Sequence, residues 1–579
     1  MIFRRGLVVP KELKLFILSL FSENDILSIK LRLELQRSIG LVTLNAKFIH
    51  SSLSLRYLRN AARNAGHKNV WIKEFVINQP VWKIASEIQK LKPDVLGIGI
   101  YIWNRSQSFE LIERLQKQNP NLKIVIGGPE VSFETETSIA CPVISGEGEK
   151  KWLEYLQTID QEAVPSEEVL NRWKTYGSDL PDLAPAYIEE DYPQLKNRIV
   201  YFETSRGCPY LCSFCLSALD KTVRYFDDEI VYDQIKKLID AGIQKFKFVD
   251  RTFNLKPGRM KALMEWLSQF EGPEFHFEVV GDILTPDILN FLETVPPGMF
   301  QFEIGIQTTD ETVQESIQRK QNNQKLFNTI KKLLVQDRIH FHCDLIFGLP
   351  GENIEKILNS FREVLSLRPH ELQLGFLKFL PGAPIKDSIS SHEYQYQSTP
   401  PYELISNKDL SADEIDYLKK FADIFDRFYN SKRFRFSISY LLQKMDAVAV
   451  FDQLLEYHES RDLFMNPVAL DRQYQIFQET FFPALASEDK DLLKLDYLYS
   501  QRAYRLPGFL AEKSIFSGKT WKQDRKTPII PFHHKIEISG SEALLKSMEH
   551  PVYYAISHSN NGGGYFHRPA LNRIEEPGI

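Results

Sequence analysis

Three of the five cysteines in this 579-residue chain fall within eight residues, and this cluster constrains the chain more than any other feature. The run is Cys208-Pro-Tyr-Leu-Cys212-Ser-Phe-Cys215, directly after a predicted strand. Thiolates are the usual ligands of iron–sulfur clusters and also bind zinc. A structural zinc site needs a fourth ligand, and the neighbouring sequence offers no further Cys or His. Three thiolates on a four-iron cluster leave one iron open, so we predict such a cluster rather than a chance loop of buried cysteines.

The composition indicates a globular chain with several domains. Apolar residues make up 43% and charged residues 25%, and the length suggests three or four domains. A net charge of −5 gives no overall basic footprint for nucleic acid. Five cysteines suit a reducing compartment. No apolar stretch reaches the length of a membrane span, and lysines and glutamates interrupt the N-terminal apolar run, which argues against a signal peptide. We therefore expect a cytoplasmic protein without membrane contact.

Two series of short apolar runs alternate with amphipathic helices. Five runs in the first series predict a doubly wound, flavodoxin-like α/β domain with a parallel sheet. Six runs in the second series, from "RIVYFE" to "LQLGFLKF", predict a partial (β/α)6 barrel. The expected boundaries are 1–38 for a charged extension, 39–155 for the first domain, 156–195 for an irregular linker, 196–394 for the barrel and 395–579 for a mainly helical C-terminal domain.

At the cysteine run the chain resembles the radical S-adenosylmethionine (radical SAM) superfamily. The signature is CxxxCxxC with an aromatic residue before the last cysteine, here Phe214. The resemblance implies a four-iron four-sulfur cluster on Cys208, Cys212 and Cys215, with S-adenosylmethionine on the open iron. It also implies reductive cleavage to a 5′-deoxyadenosyl radical, with electrons from a donor such as flavodoxin or ferredoxin.

The resemblance extends over roughly residues 197–390 and suggests further cofactor contacts. The Gly-Gly-Glu expected after the second strand is absent, and Asp250 or Asn254 stands in its place. We expect contacts to S-adenosylmethionine from strand-end residues, because the site of such barrels lies at the carboxyl ends of the strands. The expected residues are Phe214, Asp250, Glu303, Gln307, Gly348 and Pro350.

Residues 40–150 resemble the cobalamin-binding domain found in one branch of the superfamily. The matching pieces are "LNAKFIHSSLSLRYL", "GIGIYIWN", "IGGPE" and "ISGEGE". The alternative is a generic flavodoxin-like domain that uses its glycines only for turns. The Asp-x-His-x-x-Gly motif that supplies a lower cobalt ligand is absent, and His50 has the wrong spacing, so we expect no histidine ligand. The residues expected to contact cobalamin are Asn45, Tyr101, Trp103, Gly127, Gly128, Gly146, Glu147 and Gly148.

These features together predict a cobalamin-dependent radical SAM enzyme, with methyl transfer to an unreactive carbon of a small molecule or peptide as the first hypothesis. A radical rearrangement or cyclisation without methyl transfer is the second. A corrinoid carrier or sensor with a structural cluster is the third. A methylthiotransferase needs three more N-terminal cysteines, and residues 1–140 contain none. Cys141 and Cys343 are expected to be structural, and the C-terminal domain is expected to cap the barrel.

Overall fold

The structure is a computed structural model, and it describes residues 37–133, 141–161, 165–175, 185–501, 506–511, 529–539, 542–557 and 570–574. The predicted N-terminal extension lies almost wholly outside the described residues. Within the described part of the chain, no helix is long and apolar enough to cross a membrane.

The first unit is a parallel five-stranded sheet with the order β2-β1-β3-β4-β5, which confirms the doubly wound prediction. Every residue of β1 is buried, as expected of a strand covered on both faces. The strand order reverses between β1 and β3, and ligands bind at the carboxyl side of such a switch point. The strands are β1 Ile39–Asn45, β2 Val70–Val76, β3 Val95–Gly99, β4 Lys123–Gly127 and β5 Val143–Ile144.

Four helices cover the two faces of this sheet. Two of them build one apolar core with β1 and β3, and the other two build a second core on the opposite face. The first helix begins at Ser52, whose hydroxyl accepts the Leu55 amide at 3.4 Å. The helices are α1 Leu53–Asn64, α2 Val81–Lys90, α3 Arg105–Gln118 and α4 Glu149–Asp160.

The segment predicted as an irregular linker contains a further helix, α5 Glu167–Lys174. Trp173 is buried in the core between the first sheet and its helices, and its carbonyl accepts the Ser145 amide at 2.9 Å. This part of the segment therefore extends the first unit. A short helix, α6 Tyr192–Leu195, leads into the second unit.

The second unit is an open, parallel, six-stranded sheet in the order β13-β12-β11-β10-β9-β6, which confirms the predicted partial barrel. A short antiparallel pair, β7 Ser205–Arg206 and β8 Arg224–Tyr225, flanks the cysteine run. Apolar and polar residues alternate along the central strands, and the phenylalanines are buried. The remaining strands are β6 Val200–Phe202, β9 Lys245–Phe248, β10 Glu274–Val279, β11 Phe300–Gln307, β12 His340–Phe347 and β13 Glu371–Phe376.

The strands of the second unit alternate with helices, as βα units require. Helix α11 begins at Asn322, whose side chain accepts the Lys325 amide at 2.9 Å. The helices are α7 Asp228–Asp240, α8 Pro257–Leu267, α9 Pro286–Leu292, α10 Glu311–Ser316, α11 Asn323–Gln336 and α12 Ile354–Ser366.

The C-terminal region is helical, as predicted, but it also contains sheets that the sequence did not indicate. A two-stranded pair, β14 Gln395–Tyr396 and β15 Leu404–Ser406, follows the barrel. The helices are α13 Ala412–Phe425, α14 Arg435–Leu441, α15 Ala447–Glu459, α16 Leu470–Phe481 and α17 Ser487–Gln501. A three-stranded antiparallel sheet packs on α14 and α17, and its strands are β16 Ile529–Ser539, β17 Glu542–Ser557 and β18 Ala570–Ile574.

Candidate functional site

The cysteine run follows β7 at the carboxyl end of the barrel strands, and backbone hydrogen bonds fix its path. The Cys208 amide donates to Asp220 at 2.9 Å, and the Cys215 amide donates to Cys212 at 3.0 Å. Between them, the Ser213 amide donates to the Ile317 carbonyl at 3.0 Å. The loop is therefore held by its own return strand and by the segment that follows α10.

The three thiols form a donor set that fits an iron–sulfur cluster. Cys208 and Cys212 are buried, and Cys215 is half-buried. Arg319 lies 3.7 Å from the Cys212 sulfur, and Thr252 lies 3.6 Å from the Cys208 sulfur. Burial raises the pKa of Cys212, the Arg319 charge opposes that rise, and the other two thiols add to it. Three neighbouring soft donors with an adjacent cation suit a thiolate-bound cluster.

Gln307, a predicted cofactor contact, has a buried side-chain acceptor at the end of β11. It ends β11 beside a break in the strand register, and its backbone has a φ of 69°. Its side-chain oxygen Oε1 is buried and accepts no hydrogen bond from the described residues. The missing side chain of Gly305 makes room for the Gln307 amide, and Arg319 donates to the Gly305 carbonyl. A buried acceptor without a donor fits a bound polar ligand.

Other predicted contacts of the barrel are already engaged within the protein. Asp250 accepts three hydrogen bonds, from the Thr204 amide and hydroxyl and from the Ser205 hydroxyl, at 2.6–2.9 Å. Asn254 exchanges two hydrogen bonds with the backbone of Val280. Both side chains thus tie strand ends together.

The loop with Gly348 and Pro350 likewise has packing partners of its own. Gly348 has a φ of 87°, and a side chain on it would clash with Leu404. The Pro350 carbonyl accepts the Ser316 hydroxyl at 3.0 Å. These contacts hold the loop with Gly348 and Pro350 in place.

Phe214 of the cysteine run is partly buried against the core of the second unit.

Glu303 lies in the middle of β11, not at the strand end where the sequence interpretation placed it. Its Oε2 atom lies 2.9 Å from His276, 3.0 Å from Lys247 and 3.5 Å from His342. Burial opposes ionisation, but the two histidines and the lysine lower the pKa of Glu303 below its ordinary value. These three partners alternate with apolar residues in their strands, a polar signal that the sequence interpretation missed.

An aromatic platform stands at the carboxyl end of β3 in the first unit. The rings of Tyr101 and Trp103 stack with centroids 4.6 Å apart and planes within 4°. The Trp103 indole donates to the Leu44 carbonyl at 3.0 Å, yet the residue is 44% exposed. Phe48, in the loop after β1, is 63% exposed. Exposed aromatic rings at the strand ends of a doubly wound sheet fit a large, partly apolar ligand such as a corrin.

The remaining predicted cobalamin contacts lie at the same edge of the sheet. Asn45 donates to the His50 carbonyl at 2.9 Å and so shapes the loop after β1. Gly128 has a φ of 108°, and a side chain there would clash with the Ile100 backbone. Gly127 ends β4 against β5, Gly146 follows β5, and Gly148 precedes α4.

Glu147, predicted as a cobalamin contact, forms ion pairs that join the two units. Its carboxylate accepts Arg224 at 2.7 and 2.9 Å and lies 3.7 Å from Arg206. Both arginines belong to the short strands beside the cysteine run. The sequence interpretation missed them, although Arg206 directly precedes the Gly-Cys pair of that run.

His50 contacts the barrel through one ring nitrogen. Its Nδ1 atom lies 2.8 Å from the Tyr201 hydroxyl of β6. Burial and two nearby lysines lower the pKa of His50. The contact with Tyr201 gives His50 the role of a hydrogen-bonding residue between the two units.

Three family models match successive parts of the chain. Residues 39–154 match the B12 binding domain, and residues 202–364 match the Radical SAM superfamily. Residues 390–529 match a family described as "Protein of unknown function (DUF4080)".

Curated proteins match this chain at low identity. The cobalamin-dependent radical SAM methyltransferase TokK of Streptomyces tokunonensis is 26% identical over 371 residues, which are 58% of this chain and 54% of TokK. The 2-(S-pantetheinyl)-carbapenam-3-carboxylate methyltransferase of Streptantibioticus cattleyicolor is 23% identical over 357 residues, which are 56% of this chain and 52% of that enzyme. The chain spans about half the length of these relatives.

Solved structures share the fold. The radical SAM methyltransferase TsrM of Kitasatospora setae, solved with cobalamin and a four-iron cluster, superposes with a TM-score of 0.51 at 14% identity, over 63% of this chain and 78% of TsrM. The cobalamin-dependent radical enzyme OxsB superposes with a TM-score of 0.54 at 14% identity, over 76% of both chains.

Proposed function

We propose that this chain, which carries a B12-binding domain followed by a radical SAM domain, is a cobalamin-dependent radical SAM methyltransferase. Its substrate would be a small molecule or peptide methylated at an unreactive carbon. The observation that carries the proposal is the meeting of two sites. Glu147, in a strand-end loop of the first unit, forms ion pairs with Arg206 and Arg224, which lie beside the cysteine run.

Each implied cofactor has residues suited to hold it. Cys208, Cys212 and Cys215 would bind the cluster, the Gln307 amide would contact S-adenosylmethionine, and Trp103 with Tyr101 would support the corrin. When bound, the cluster and S-adenosylmethionine supply the reductive cleavage that activates a carbon, and cobalamin supplies the methyl group.

The chain's own residues would position these groups and exclude water. Tyr402 donates to Glu130 of the loop after β4, and Phe133 of that loop packs against Gly382. These contacts close the side of the site next to β13 with the segment that enters the C-terminal region. Shielding from water protects reactive intermediates. Holding the reactants in a fixed geometry means that the entropy cost of bringing them together is met before the reaction.

The electron donor is proposed by chemical class. Cleavage requires one electron from outside the chain, and a flavodoxin or ferredoxin is the class that we propose. All five cysteines are free thiols, and an iron–sulfur cluster needs reducing conditions to persist. We therefore infer that the protein works in the cytoplasm.

The test uses full-length protein, reconstituted anaerobically with iron, sulfide and hydroxocobalamin, then incubated with S-adenosylmethionine and a chemical reductant. Methylation of the bound cobalamin requires no substrate, so we expect methylcobalamin together with S-adenosylhomocysteine, and slow formation of 5′-deoxyadenosine. Cys212→Ala should abolish 5′-deoxyadenosine. Cys343→Ala is the matched control, because Cys343 is buried within β12 away from the cysteine run.

The products separate the three hypotheses. 5′-Deoxyadenosine without S-adenosylhomocysteine or methylcobalamin would favour a rearrangement or cyclisation. Intact S-adenosylmethionine in protein that holds both cofactors would favour a corrinoid carrier or sensor with a structural cluster.

A further inference from the structure

Three side chains from neighbouring strands converge inside the barrel, below the strand ends. They are His276 of β10, Glu303 of β11 and His342 of β12. One ligand atom from each lies within 4.8 Å of the others. The Glu303 Oε2 atom lies 2.9 Å from the His276 Nε2 atom and 3.5 Å from the His342 Nε2 atom. Strands, rather than loops, hold all three, so their relative positions are fixed.

The distances between these ligand atoms are close to those between two ligands of one metal ion. Two ligands that each lie about 2.0–2.1 Å from a zinc ion at a tetrahedral angle are about 3.3–3.4 Å apart. The two measured separations lie on either side of that value. Two imidazoles with one carboxylate are also a donor set typical of zinc and of non-haem iron, with further positions left open.

The surrounding lumen carries two further carboxyl groups beside Glu303, and its basic side chains are Lys247 at Glu303 and Arg251, which lies 4.0 Å from Glu278. Glu278 lies opposite Glu303 in the strand register, and Asp344 lies opposite Gly305. The Asp344 Oδ1 atom is buried and has no hydrogen-bond partner among the described residues. Burying an unpaired carboxylate is costly, and a further cation beside Asp344 would relieve that cost. The unpartnered Asp344 oxygen, on the same strand as His342, is a second observation that points to the same kind of ligand.

Lys247 provides a positive charge at the position that such a cation would occupy. Its ammonium nitrogen lies 3.0 Å from the same Glu303 oxygen that faces both histidines. Its side chain is 29% exposed, so the ammonium group can leave along the open lumen without being buried elsewhere.

We propose that His276, Glu303 and His342 bind a divalent transition-metal ion of the zinc or iron(II) class. Lys247 is the counter-charge of the metal-free site and moves aside when the ion enters. The ion would have open positions available to an oxygen or nitrogen of a substrate. This site is separate from the cysteine run, and its existence does not depend on the proposed methyl transfer.

The probe is Zn²⁺ alone, added to full-length protein that already holds its iron–sulfur cluster, so that the cysteines are occupied. We expect about one tightly bound zinc per chain after gel filtration. The zinc X-ray absorption spectrum should show nitrogen and oxygen neighbours without sulfur. Competition against a coloured chelator gives the affinity.

Substitutions then separate ligands from neighbours. His276→Ala and His342→Ala should each weaken zinc binding by about 100-fold or more, since even outer-shell changes cost about 10–100-fold. Lys247→Met should bind zinc at least as tightly as the wild type, because a competing cation is removed. His340→Ala is the matched control on the same strand, two residues from His342, and should leave the affinity unchanged.

Absence of stoichiometric zinc in the folded wild-type protein would overturn the proposal, and Lys247 would then be the permanent counter-charge of Glu303. A sulfur-containing shell would also overturn it, because the zinc would lie on cysteines. Equal losses in His340→Ala and His342→Ala would do the same. If the alanine variants fail to fold, the spectrum of the wild-type protein decides alone.

Discussion

Arg206 is a residue whose removal should loosen the contact between the two units. Its Nη2 atom lies 2.8 Å from Glu149 of α4 and 2.8 Å from Glu203, and its Nη1 atom lies 3.7 Å from Glu147. Its guanidinium also lies over the Tyr57 ring, 5.3 Å from the centroid. Burial opposes its charge, but Glu203 and Glu149 raise the pKa of Arg206. One cation therefore serves three carboxylates from both units.

The magnitude follows from burial. The Arg206 side chain is 13% exposed, and Glu149 and Glu203 are 9% and 11% exposed. Removing one partner of a buried pair costs about 3–5 kcal/mol, because an unpaired charge is left behind. By contrast, Arg63 pairs with Glu190 at 2.8 Å with side chains 28% and 57% exposed. Such an exposed pair contributes about 0–1 kcal/mol.

The assay is amide hydrogen exchange in Arg206→Met, read in peptides covering 143–152 and 203–226. A loss of about 3 kcal/mol in local opening free energy speeds exchange by roughly two orders of magnitude. Both peptides should respond, because the pairs join both units. The control, Arg63→Met, should change exchange in these peptides less than about fivefold. Combining Arg206→Met with Glu149→Gln should recover part of the loss, because one unpaired carboxylate is then removed.

Two results would refute this reasoning. Equal exchange in Arg206→Met and Arg63→Met would show that burial does not strengthen the pairs. Faster exchange confined to 203–226 would show that Arg206 holds the cysteine run but does not join it to the first unit.

Three further outcomes are expected. Trp103→Ala should weaken cobalamin binding by roughly tenfold in a titration, from lost aromatic contact, whereas Trp82→Ala, an exposed indole on α2, should not. Gly128→Ala should lower the melting temperature, at a cost of about 1–3 kcal/mol for a strained backbone, while Gly258→Ala, which has open space, should not. Burial raises the pKa of Glu352 to about 8. Between about pH 4.5 and 8 the carboxyl group therefore stays protonated in the folded state but ionises in the unfolded state, so the free energy of unfolding falls as the pH rises through this range. Glu352→Gln should flatten the decline of the urea midpoint between these pH values. An unchanged decline in this variant would show that Glu352 is not its cause.

The sequence predicted both sheets because their strands have a simple physical signature. Strand β1 is buried at every position and reads as a continuous apolar run. Strand β11 belongs to the second series of short apolar runs between helices, which predicted the barrel strands. The cysteine spacing likewise predicted a metal centre, because thiolate chemistry leaves few alternatives. Local patterns of this kind do not depend on how distant parts of the chain meet.

Other features depend on tertiary structure and were missed. The depth of Glu303 depends on where β11 ends, and the register shift between Gly305 and Gln307 leaves no local mark. The pairs of Arg206 with Glu147 and Glu149 join residues 59 and 57 positions apart in different units. Nothing in either segment indicates that they meet.

One signal in the barrel strands was available and was not used. "KFKF", "FHFE" and "FHCD" place polar residues between buried apolar ones in β9, β10 and β12. A parallel strand covered on both faces should be almost wholly apolar. Three strands of one sheet that break this rule indicate a polar lumen, which is where His276 and His342 lie.

The contacts between the units bear on the proposed methyl transfer, in which two cofactor sites would act on one carbon. The loop after β1 reaches β6 through His50 and Tyr201, and the loop after β5 reaches the cysteine run through Glu147. The loop after β4 reaches the C-terminal segment through Glu130 and Tyr402. Three separate contacts at one edge of a sheet fix both the distance and the angle of the opposing barrel. Radical and methyl donors must approach the same carbon to within about 3–3.5 Å, so this edge has to be rigid, and the C-terminal segment is part of what makes it so.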